Sequence, residues 1–314
     1  MARRHAARPQ AHRIEPRTLA ALAGTIVLWA SAFAGIKAGL AAFQPGEVAL
    51  LRFVTASAVL GVYAAMTRMR MPAVRDLPVI AVAGVVGITL YHVALNFGEK
   101  TVSAGAASLI ISAVPIFTSL LAVLFLGERL RWIGWGGIVV SFLGVVLITF
   151  GQGKGIGFDP NAWLIVLAAF GSSVYFIMQK PLLRRYSALE LTTFTIWAGT
   201  VPMLVFARGL MIKLPGAPLS ATLAVVYLGI FPAAIAYFLW SWALARTPAS
   251  ITASFLYVSP VLAILIAAVW IHEVPTSLSL VGGVIALAGV IIVNTFGRAV
   301  LPQEVAEIVE DPGR

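Results

Sequence analysis

The sequence predicts an all-α polytopic membrane protein in which ten transmembrane helices form two inverted five-helix repeats. Three observations support this: an apolar composition, ten apolar runs of membrane-spanning length, and a pattern that recurs after about 145 residues. Hydrophobic residues make up 60% of the 314 positions and charged residues only 11%. Soluble domains carry about 45–50% apolar and about 25% charged residues, so lipid must cover much of this chain.

The charge and the cysteine count exclude several function classes. The formal charge is +10, but the basic residues are scattered between apolar runs and form no stripe or motif, so we predict no nucleic-acid partner. The absence of cysteine excludes disulfides, thiol catalysis and zinc sites built on cysteine, and we predict no metal or cofactor. Residues 1–17 form a basic leader, which we interpret as a cytoplasmic retention signal, with a transit peptide as the alternative.

Ten apolar runs have the length of about 20 residues that a helix needs to cross the bilayer core. They lie near 18–40, 46–67, 77–98, 103–126, 131–150, 160–180, 188–209, 219–243, 249–271 and 277–297, and glycine and proline mark most of the joins between them. We therefore divide the chain into the leader, a first repeat at 18–150, a second repeat at 160–297 and a cytoplasmic tail at 298–314.

The basic residues predict the orientation. With the N-terminus in the cytoplasm, sixteen of the 22 lysines and arginines lie in cytoplasmic segments and four in outer segments, while Lys37 and Arg52 lie inside spans. Cytoplasmic loops of membrane proteins carry such an excess of positive charge. We predict a multi-pass protein of the bacterial inner membrane with both termini in the cytoplasm.

The second half of the chain echoes the first. At a spacing of 145, Pro115 matches Pro260 and Glu128 matches Glu273; near that spacing, Tyr91 matches Tyr237. A repeat of five helices is odd in number, so the second copy enters the membrane from the opposite side. Inverted repeats allow a transporter to expose one central site to each face in turn. The repeat therefore predicts a carrier of small molecules.

One recurring motif resembles a known family. It runs from Ala107-Ser108 through Pro115 and the segment 126–130 (Leu-Gly-Glu-Arg-Leu) to Gly144, and it recurs from Ala253 to Gly289 with His272 before Glu273. This pattern resembles the drug/metabolite transporter superfamily, EamA family, and is most similar to its bacterial YddG-type amino-acid exporters. The resemblance implies a central cavity formed mainly by helices 1, 3, 4, 6, 8 and 9.

Four residues are candidates for gates or hinges. Pro115 and Pro260 lie in the middle of spans, where proline should kink a helix and free carbonyl groups; a static kink is the alternative. Glu128 and Glu273 lie at helix C-terminal ends, where the helix dipole disfavours a negative charge. We interpret the two glutamates as locks on opposite membrane faces, with ordinary helix-end ion pairing as the alternative.

Six residues are candidates for substrate binding. His92 lies well inside a span, where an ionisable group is costly and indicates a transport path; a neutral histidine satisfied by a neighbouring helix is the alternative. Aromatic side chains with a polar group suit an amino-acid or aromatic cargo, although each could equally serve packing. The full set is Trp29, Tyr91, His92, Asn96, Tyr237 and Trp240.

The acidic residues bear on energy coupling. All twelve lie at span ends or outside spans, so no carboxylate is expected at mid-membrane depth and His92 is the one expected internal proton site. We therefore predict facilitated diffusion. Lys37 and Arg52 lie close to the outer surface, where they could snorkel, pair with Glu47 or meet a carboxylate cargo.

These observations together predict an exporter of amino acids and related small metabolites, with aromatic amino acids as candidates, that works by alternating access. The alternatives are a sugar-phosphate or nucleotide-sugar exchanger and a multidrug exporter of the same superfamily. We predict no enzyme, since no catalytic dyad or metal cluster is expected at depth. The predicted partners are the substrate and membrane lipid, and no oligomer is required.

Overall fold

The computed structural model describes residues 15–125, 131–150, 159–247, 252–253 and 255–296, and every regular element in these ranges is a helix. Seven helical stretches are long and apolar enough to cross a membrane: Pro16–Leu40, Pro45–Thr67, Val74–Gly98, Ala104–Phe125, Ala162–Leu182, Ala188–Gly216 and Leu219–Arg246. Three shorter apolar helices cover Trp132–Ile148, Phe255–Trp270 and Ser277–Ile292. The all-helical architecture is confirmed, while the count of ten spans stays a prediction. Glu128 lies outside the described residues.

The helices of the first repeat are α1 to α7. Their bounds are α1 Pro16–Leu40, α2 Pro45–Thr67, α3 Leu77–Gly84, α4 Tyr91–Gly98, α5 Ala104–Ile111, α6 Val114–Phe125 and α7 Trp132–Phe150. A π-helical segment, Val85–Leu90, joins α3 to α4 without interrupting the span. Short turns of 3₁₀ or irregular backbone connect the remaining elements.

The helices of the second repeat are α8 to α14. Their bounds are α8 Ala162–Leu182, α9 Ala188–Met203, α10 Ala207–Lys213, α11 Leu219–Leu228, α12 Ala236–Arg246, α13 Ser259–Trp270 and α14 Ser277–Phe296. A π-helical segment, Gly229–Ile235, joins α11 to α12. It occupies the position in this repeat that Val85–Leu90 occupies in the first, about 145 residues earlier. The two copies therefore share an unusual backbone feature and not only a sequence pattern.

Both predicted proline kinks are helix breaks. The fourth span of the first repeat is interrupted at residues 112–113, and Pro115 is the second residue of the helix that restarts there. In the second repeat a 3₁₀ turn, Phe255–Val258, precedes α13, in which Pro260 is also the second residue. Proline has no N–H to donate, so it is accommodated in the first turn of a helix and not in its interior.

The last helices of the two repeats, α7 and α14, pack against each other along glycine faces. A β-carbon on Gly144 would lie 2.6 Å from the carbonyl oxygen of Gly282, and one on Gly289 would lie 2.6 Å from that of Gly137. Between them the Ser141 hydroxyl donates to the Ala286 carbonyl at 2.9 Å. Small residues permit such close helix approach in lipid.

This contact has the pattern of a local two-fold axis. Gly137 and Gly144 are the repeat counterparts of Gly282 and Gly289, and each contacts the counterpart of the other. Because the start of α7 meets the end of α14, the two helices run antiparallel. This pair of equivalent helices thus points in opposite directions, as an inverted repeat requires.

Candidate substrate cavity

A small cavity lies between the two repeats. The space inside it that a water-sized sphere can occupy is about 40 Å³, enough for a few water molecules and too small for an amino acid. Its wall comes from helices of both repeats and contains Trp29, Ala32, Phe33, Ile36, Arg52, Tyr91, His92, Leu95, Ser108, Ile111, Ser112, Val114, Ser172, Phe176, Tyr237, Leu256 and Ser259. In this conformation the cavity is contracted, so cargo binding requires it to expand.

The cavity wall is formed by the spans that the family resemblance implied and by one further span. Residues of the first, third, fourth, sixth, eighth and ninth predicted spans line it, and Arg52 adds the second. The two helix breaks contribute directly: Ser112 and Val114 border the cavity at the first, and Leu256 and Ser259 at the second. Irregular backbone inside a membrane protein is tolerated where it borders a cavity, which these breaks do.

His92 and Tyr237 link the two repeats across the cavity wall. The Nε2 atom of His92 lies 2.9 Å from the Tyr237 hydroxyl, while its Nδ1 has no hydrogen-bond partner within the described residues. Phe53 and Tyr91 pack on the same imidazole with ring centroids 4.5 Å away. His92 is therefore held by a neighbouring helix and also borders the cavity, so the structure combines the two interpretations that the sequence left open.

Trp29 completes an aromatic wall with Tyr237. Their ring centroids are 5.3 Å apart in an edge-to-face arrangement, and the indole N–H of Trp29 donates to the Pro232 carbonyl at 3.0 Å. Pro232 belongs to the π-helical segment of the second repeat. The widened turn thus supplies a carbonyl that fixes the indole plane, which agrees with the frequent occurrence of π-bulges at functional sites.

Trp240 and Asn96 lie behind the wall. Trp240 is 1% exposed and packs on Trp29 and Phe176, with ring centroids 5.0 and 4.7 Å away, and it does not border the cavity. The Asn96 side chain is fully buried and donates to the Pro45 carbonyl at 3.1 Å, at the start of α2. In this conformation the two residues support wall elements and do not face the cavity.

Arg52 is a wall residue that the candidate set omitted. The sequence places it seven residues after the start of α2, which we interpreted as a shallow, snorkelling position. In the structure its side chain is buried and borders the cavity. The expected pairing with Glu47 is absent from the described ion pairs, since Glu47 bonds Lys213 at 3.0 Å. Arg52 shares one helical face with the buried Ala49 and Ala56, but the apolar sequence of α2 does not show which face is buried.

A charged cluster lies at the face that the basic residues predict to be the outer one. Lys37 of α1 bridges to Glu273 at 3.7 Å, and the other oxygen of Glu273 accepts the Ala104 N–H at 2.9 Å. Glu273 therefore connects the second repeat to α1 and to the start of α5. Glu99 also lies here, close enough to interact electrostatically with Lys37 and Glu273.

Glu99 is a buried carboxyl at the end of its span. It is 0% exposed, and neither side-chain oxygen has a hydrogen-bond partner within the described residues. Burial raises its pKa well above the usual range, because desolvation disfavours the charged carboxylate. The expectation that the acids lie at span ends holds for Glu99, but the sequence did not predict its burial and so overlooked a second protonatable group besides His92.

The opposite face is held by different polar contacts. Lys180, the repeat counterpart of Lys37, donates to the carbonyl oxygens of Leu244 and Thr247 at 2.7 and 2.8 Å. It thereby holds the C-terminal end of α12, where a cation is favoured. The loops on that face are also joined, since Arg185 bonds Asp76 at 2.6 Å. The counterpart of Glu273 on this face is Glu128, which the structure does not describe.

Comparison with known proteins decides the family. The EamA-like transporter family matches the chain twice, at residues 17–150 and 160–295. The chain belongs to the EamA-like transporter family. The two matches correspond to the two halves that meet at the α7–α14 contact, and EamA membership makes the chain a membrane transporter.

Two curated relatives show how far the similarity extends. The chain is 45% identical over 265 residues to the uncharacterized transporter YdfC of Bacillus subtilis, covering 84% of this chain and 87% of the relative. It is 41% identical over 280 residues to a probable terminal-alkyne amino-acid exporter of Streptantibioticus cattleyicolor, covering 88% and 94%. Both relatives are named transporters, and these names point to transport and not to an enzyme.

More distant matches agree. The chain is 28% identical over 303 residues to the uncharacterized inner membrane transporter YedA of Escherichia coli K12, covering 93% of this chain and 95% of that one. A solved crystal structure at 24% identity superposes with a TM-score of 0.61 over 88% of this chain and 95% of that chain. This likeness shows that the fold is shared.

Proposed function

We propose that this protein exports amino acids and related small metabolites across the bacterial inner membrane by alternating access around the central cavity. Ten spans in two inverted repeats, with both termini in the cytoplasm, place the cavity between the two membrane faces. The observation that carries the proposal is the cavity wall itself, where one guanidinium, from Arg52, stands among the aromatic rings of Trp29, Tyr91 and Tyr237. This wall offers both charge recognition and ring stacking to a small polar cargo.

The relatives support the choice of cargo. The Streptantibioticus relative is named as a probable exporter of a terminal-alkyne amino acid and is 41% identical to this chain along most of its length. An amino acid with an apolar side chain would suit an aromatic wall, because the rings can cover apolar groups while leaving the polar end to Arg52. Aromatic amino acids are the first candidates.

Two alternatives are weaker. A multidrug exporter of cationic compounds would meet an unfavourable positive charge, since the described wall contains a guanidinium and no carboxylate. A sugar-phosphate exchanger is the stronger rival, because Arg52 is buried and borders the cavity instead of snorkelling to the surface. Arg52 is the one lysine or arginine of the described wall, whereas a phosphate dianion generally calls for several donors.

The gating part of the proposal concerns Pro115 and Pro260. Both lie at helix restarts beside the cavity, at equivalent places in the two repeats, so a rotation there would open the cavity to one face or the other. Replacing each proline by alanine should lower the transport rate while leaving substrate affinity nearly unchanged. Wild-type transport rates in both alanine variants would show that the helix breaks shape the packing and do not act as hinges.

The energy source follows from the position of the acids. The described cavity wall contains no carboxylate to exchange a proton for cargo, and Glu99 lies outside it at one end of the bundle. We propose that the cargo moves down its own gradient, as facilitated diffusion.

Uptake into proteoliposomes tests the proposal. Purified protein is offered a panel of aromatic and aliphatic amino acids, a sugar phosphate and a cationic dye, without an ion gradient. Ala32→Trp fills the cavity from α1, and Val27→Trp places the same ring on a half-exposed position of the same helix. We expect amino-acid flux by the wild type and by Val27→Trp and none by Ala32→Trp. Flux confined to the sugar phosphate or the dye would contradict the proposal, as would wild-type flux by Ala32→Trp.

A further inference from the structure

Arg52 carries a buried positive charge that no described residue neutralises by an ion pair or a hydrogen bond. The residue is 2% exposed, and its Nε and Nη1 atoms have no hydrogen-bond partner within the described residues. Removing an ion from water costs several kcal/mol even after relaxation, so a buried guanidinium is normally paired. A buried, unpaired and cavity-facing guanidinium therefore calls for a partner that comes from outside the chain.

The neighbouring acids do not supply this partner. Glu99 is close enough to interact electrostatically with Arg52, but neither of its oxygens accepts a hydrogen bond within the described residues. Glu47, one and a half turns earlier on α2, is engaged by Lys213 and by the backbone N–H of Gln44. The Phe53 ring centroid lies 5.4 Å from the guanidinium carbon, and an aromatic ring accepts no carboxylate-like hydrogen bond from the N–H groups.

The surroundings of Arg52 favour an anion. The helices α6 and α13 both begin at the cavity, at Val114 and Ser259, and a helix N-terminus carries a partial positive charge. A guanidinium presents parallel N–H groups whose geometry matches a carboxylate with two hydrogen bonds, a match that the point charge of lysine does not reproduce. Shape and charge together point to a planar monoanion.

We propose that Arg52 binds the α-carboxylate of the cargo. This assignment rests on the proposed function and narrows it to carboxylate-bearing molecules. The described wall contains no aspartate or glutamate to receive an α-ammonium group, so the aromatic rings of Trp29 and Tyr237, an edge-to-face pair with centroids 5.3 Å apart, take that part. A cation near the face of an aromatic ring is stabilised by the ring quadrupole.

Amino acids and their carboxamides separate this proposal from the broader one. L-Phenylalanine and L-leucine are compared with their carboxamides, which keep the ammonium and the side chain but lose the negative charge. The wild type should transport the acids with a KM about ten- to a hundredfold below that of the amides, as expected for loss of a charged hydrogen-bonded pair. Equal transport of acid and amide would overturn the assignment of Arg52, whereas no transport of either by the wild type would overturn the proposed function.

Substitutions supply the second arm. Arg52→Met keeps the approximate side-chain volume and removes the charge. Arg52→Lys keeps the charge but loses the parallel N–H groups of the guanidinium. The control is Arg208→Gln, which removes one positive charge from an exposed position on α10. Both Arg52 variants should raise the KM for L-phenylalanine. Arg52→Met should abolish the preference for acid over amide and Arg52→Lys should only reduce it, while Arg208→Gln should behave as the wild type. Thermal unfolding distinguishes a structural role, since replacing an unpaired buried charge by methionine should leave the Tm unchanged or raised. A lowered Tm with unchanged KM in Arg52→Met would contradict the proposal.

Discussion

Lys37 and Glu273 join the two repeats at one end of the bundle, with 3.7 Å between the ammonium nitrogen and the nearer carboxylate oxygen. Lys37 belongs to the first repeat and Glu273 to the second, so movement of one repeat against the other at this face must break the pair. The pair therefore has the position of a lock on the face that the charge distribution predicts to be the outer one. Its strength is modest, since a partly exposed ion pair contributes about 1 kcal/mol or less.

Breaking this lock should open the cavity to the outer face. The natural chain has no cysteine, so a single cysteine at Ser108, which borders the cavity, reports accessibility without background. In the Ser108→Cys background, Glu273→Gln should increase labelling by a membrane-impermeant maleimide applied to intact cells. Lys213→Gln is the matched control, because it breaks the ion pair with Glu47 elsewhere on the protein. Equal labelling of the two variants would show that the Lys37–Glu273 pair does not keep the cavity closed and is an ordinary helix-end ion pair.

Glu99 should make stability depend on pH. Its pKa is raised by burial, so the folded protein binds this proton more tightly than the unfolded chain does. The stability from this group is complete below the unfolded pKa and is lost as pH rises through the raised value. Glu99→Gln cannot ionise, so its Tm should fall less than that of the wild type as pH is raised from acidic to alkaline. Parallel Tm profiles of the two proteins would contradict a raised pKa of Glu99 in the folded protein.

Tyr237 should contribute more through its ring than through its hydroxyl. Tyr237→Phe keeps the ring against Trp29 but removes the hydroxyl that lies 2.9 Å from His92. Because an unsatisfied buried polar group costs about 1–3 kcal/mol, we expect a lower Tm with transport largely retained. Tyr237→Leu loses the ring face and should raise the KM for phenylalanine several-fold. If the phenylalanine and leucine variants transport with the same KM, the ring does not contact the cargo.

The α7–α14 contact should tolerate no side chain at the position of Gly144. A β-carbon on Gly144 would lie 2.6 Å from a backbone oxygen, and backbone cannot move aside cheaply, whereas one on Gly136 of the same helix meets nothing within 4 Å. Gly144→Ala should therefore destabilise the protein by about 1–3 kcal/mol through overpacking. Gly136→Ala should be neutral or slightly stabilising, because alanine is the better helix former. Thermal unfolding of the two purified variants checks this, and equal Tm values would show that the two helices separate readily.

The repeat spacing was the most informative feature of the sequence. It matched Pro115 with Pro260 and Tyr91 with Tyr237, and the structure places the prolines at equivalent helix breaks and both tyrosines in one cavity wall. The matched residues lie at corresponding places because a duplicated chain preserves its exceptional positions, and proline or a polar aromatic is exceptional in an apolar run.

The orientation of side chains could not be predicted in the same way. In a soluble protein the polar face of a helix identifies its solvent-exposed side. In a membrane protein the lipid-facing and the buried faces are both apolar, so the sequence does not distinguish them. Position along α2 favours a snorkelling Arg52 and does not show that its side chain faces the cavity. For the same reason Asn96 was expected in the binding site, although it bonds to the backbone of α2, and the burial of Glu99 was overlooked.

Counterflow in proteoliposomes tests most directly whether one cavity serves both membrane faces. Vesicles are preloaded with unlabelled L-phenylalanine, and uptake of labelled L-phenylalanine is followed without any ion gradient, with and without a protonophore. An alternating-access carrier that works by facilitated diffusion should take up label faster when preloaded, with a transient overshoot that the protonophore does not change. Uptake at the same rate with and without the preload would contradict alternating access. Accumulation that occurs only under an imposed proton gradient would contradict facilitated diffusion.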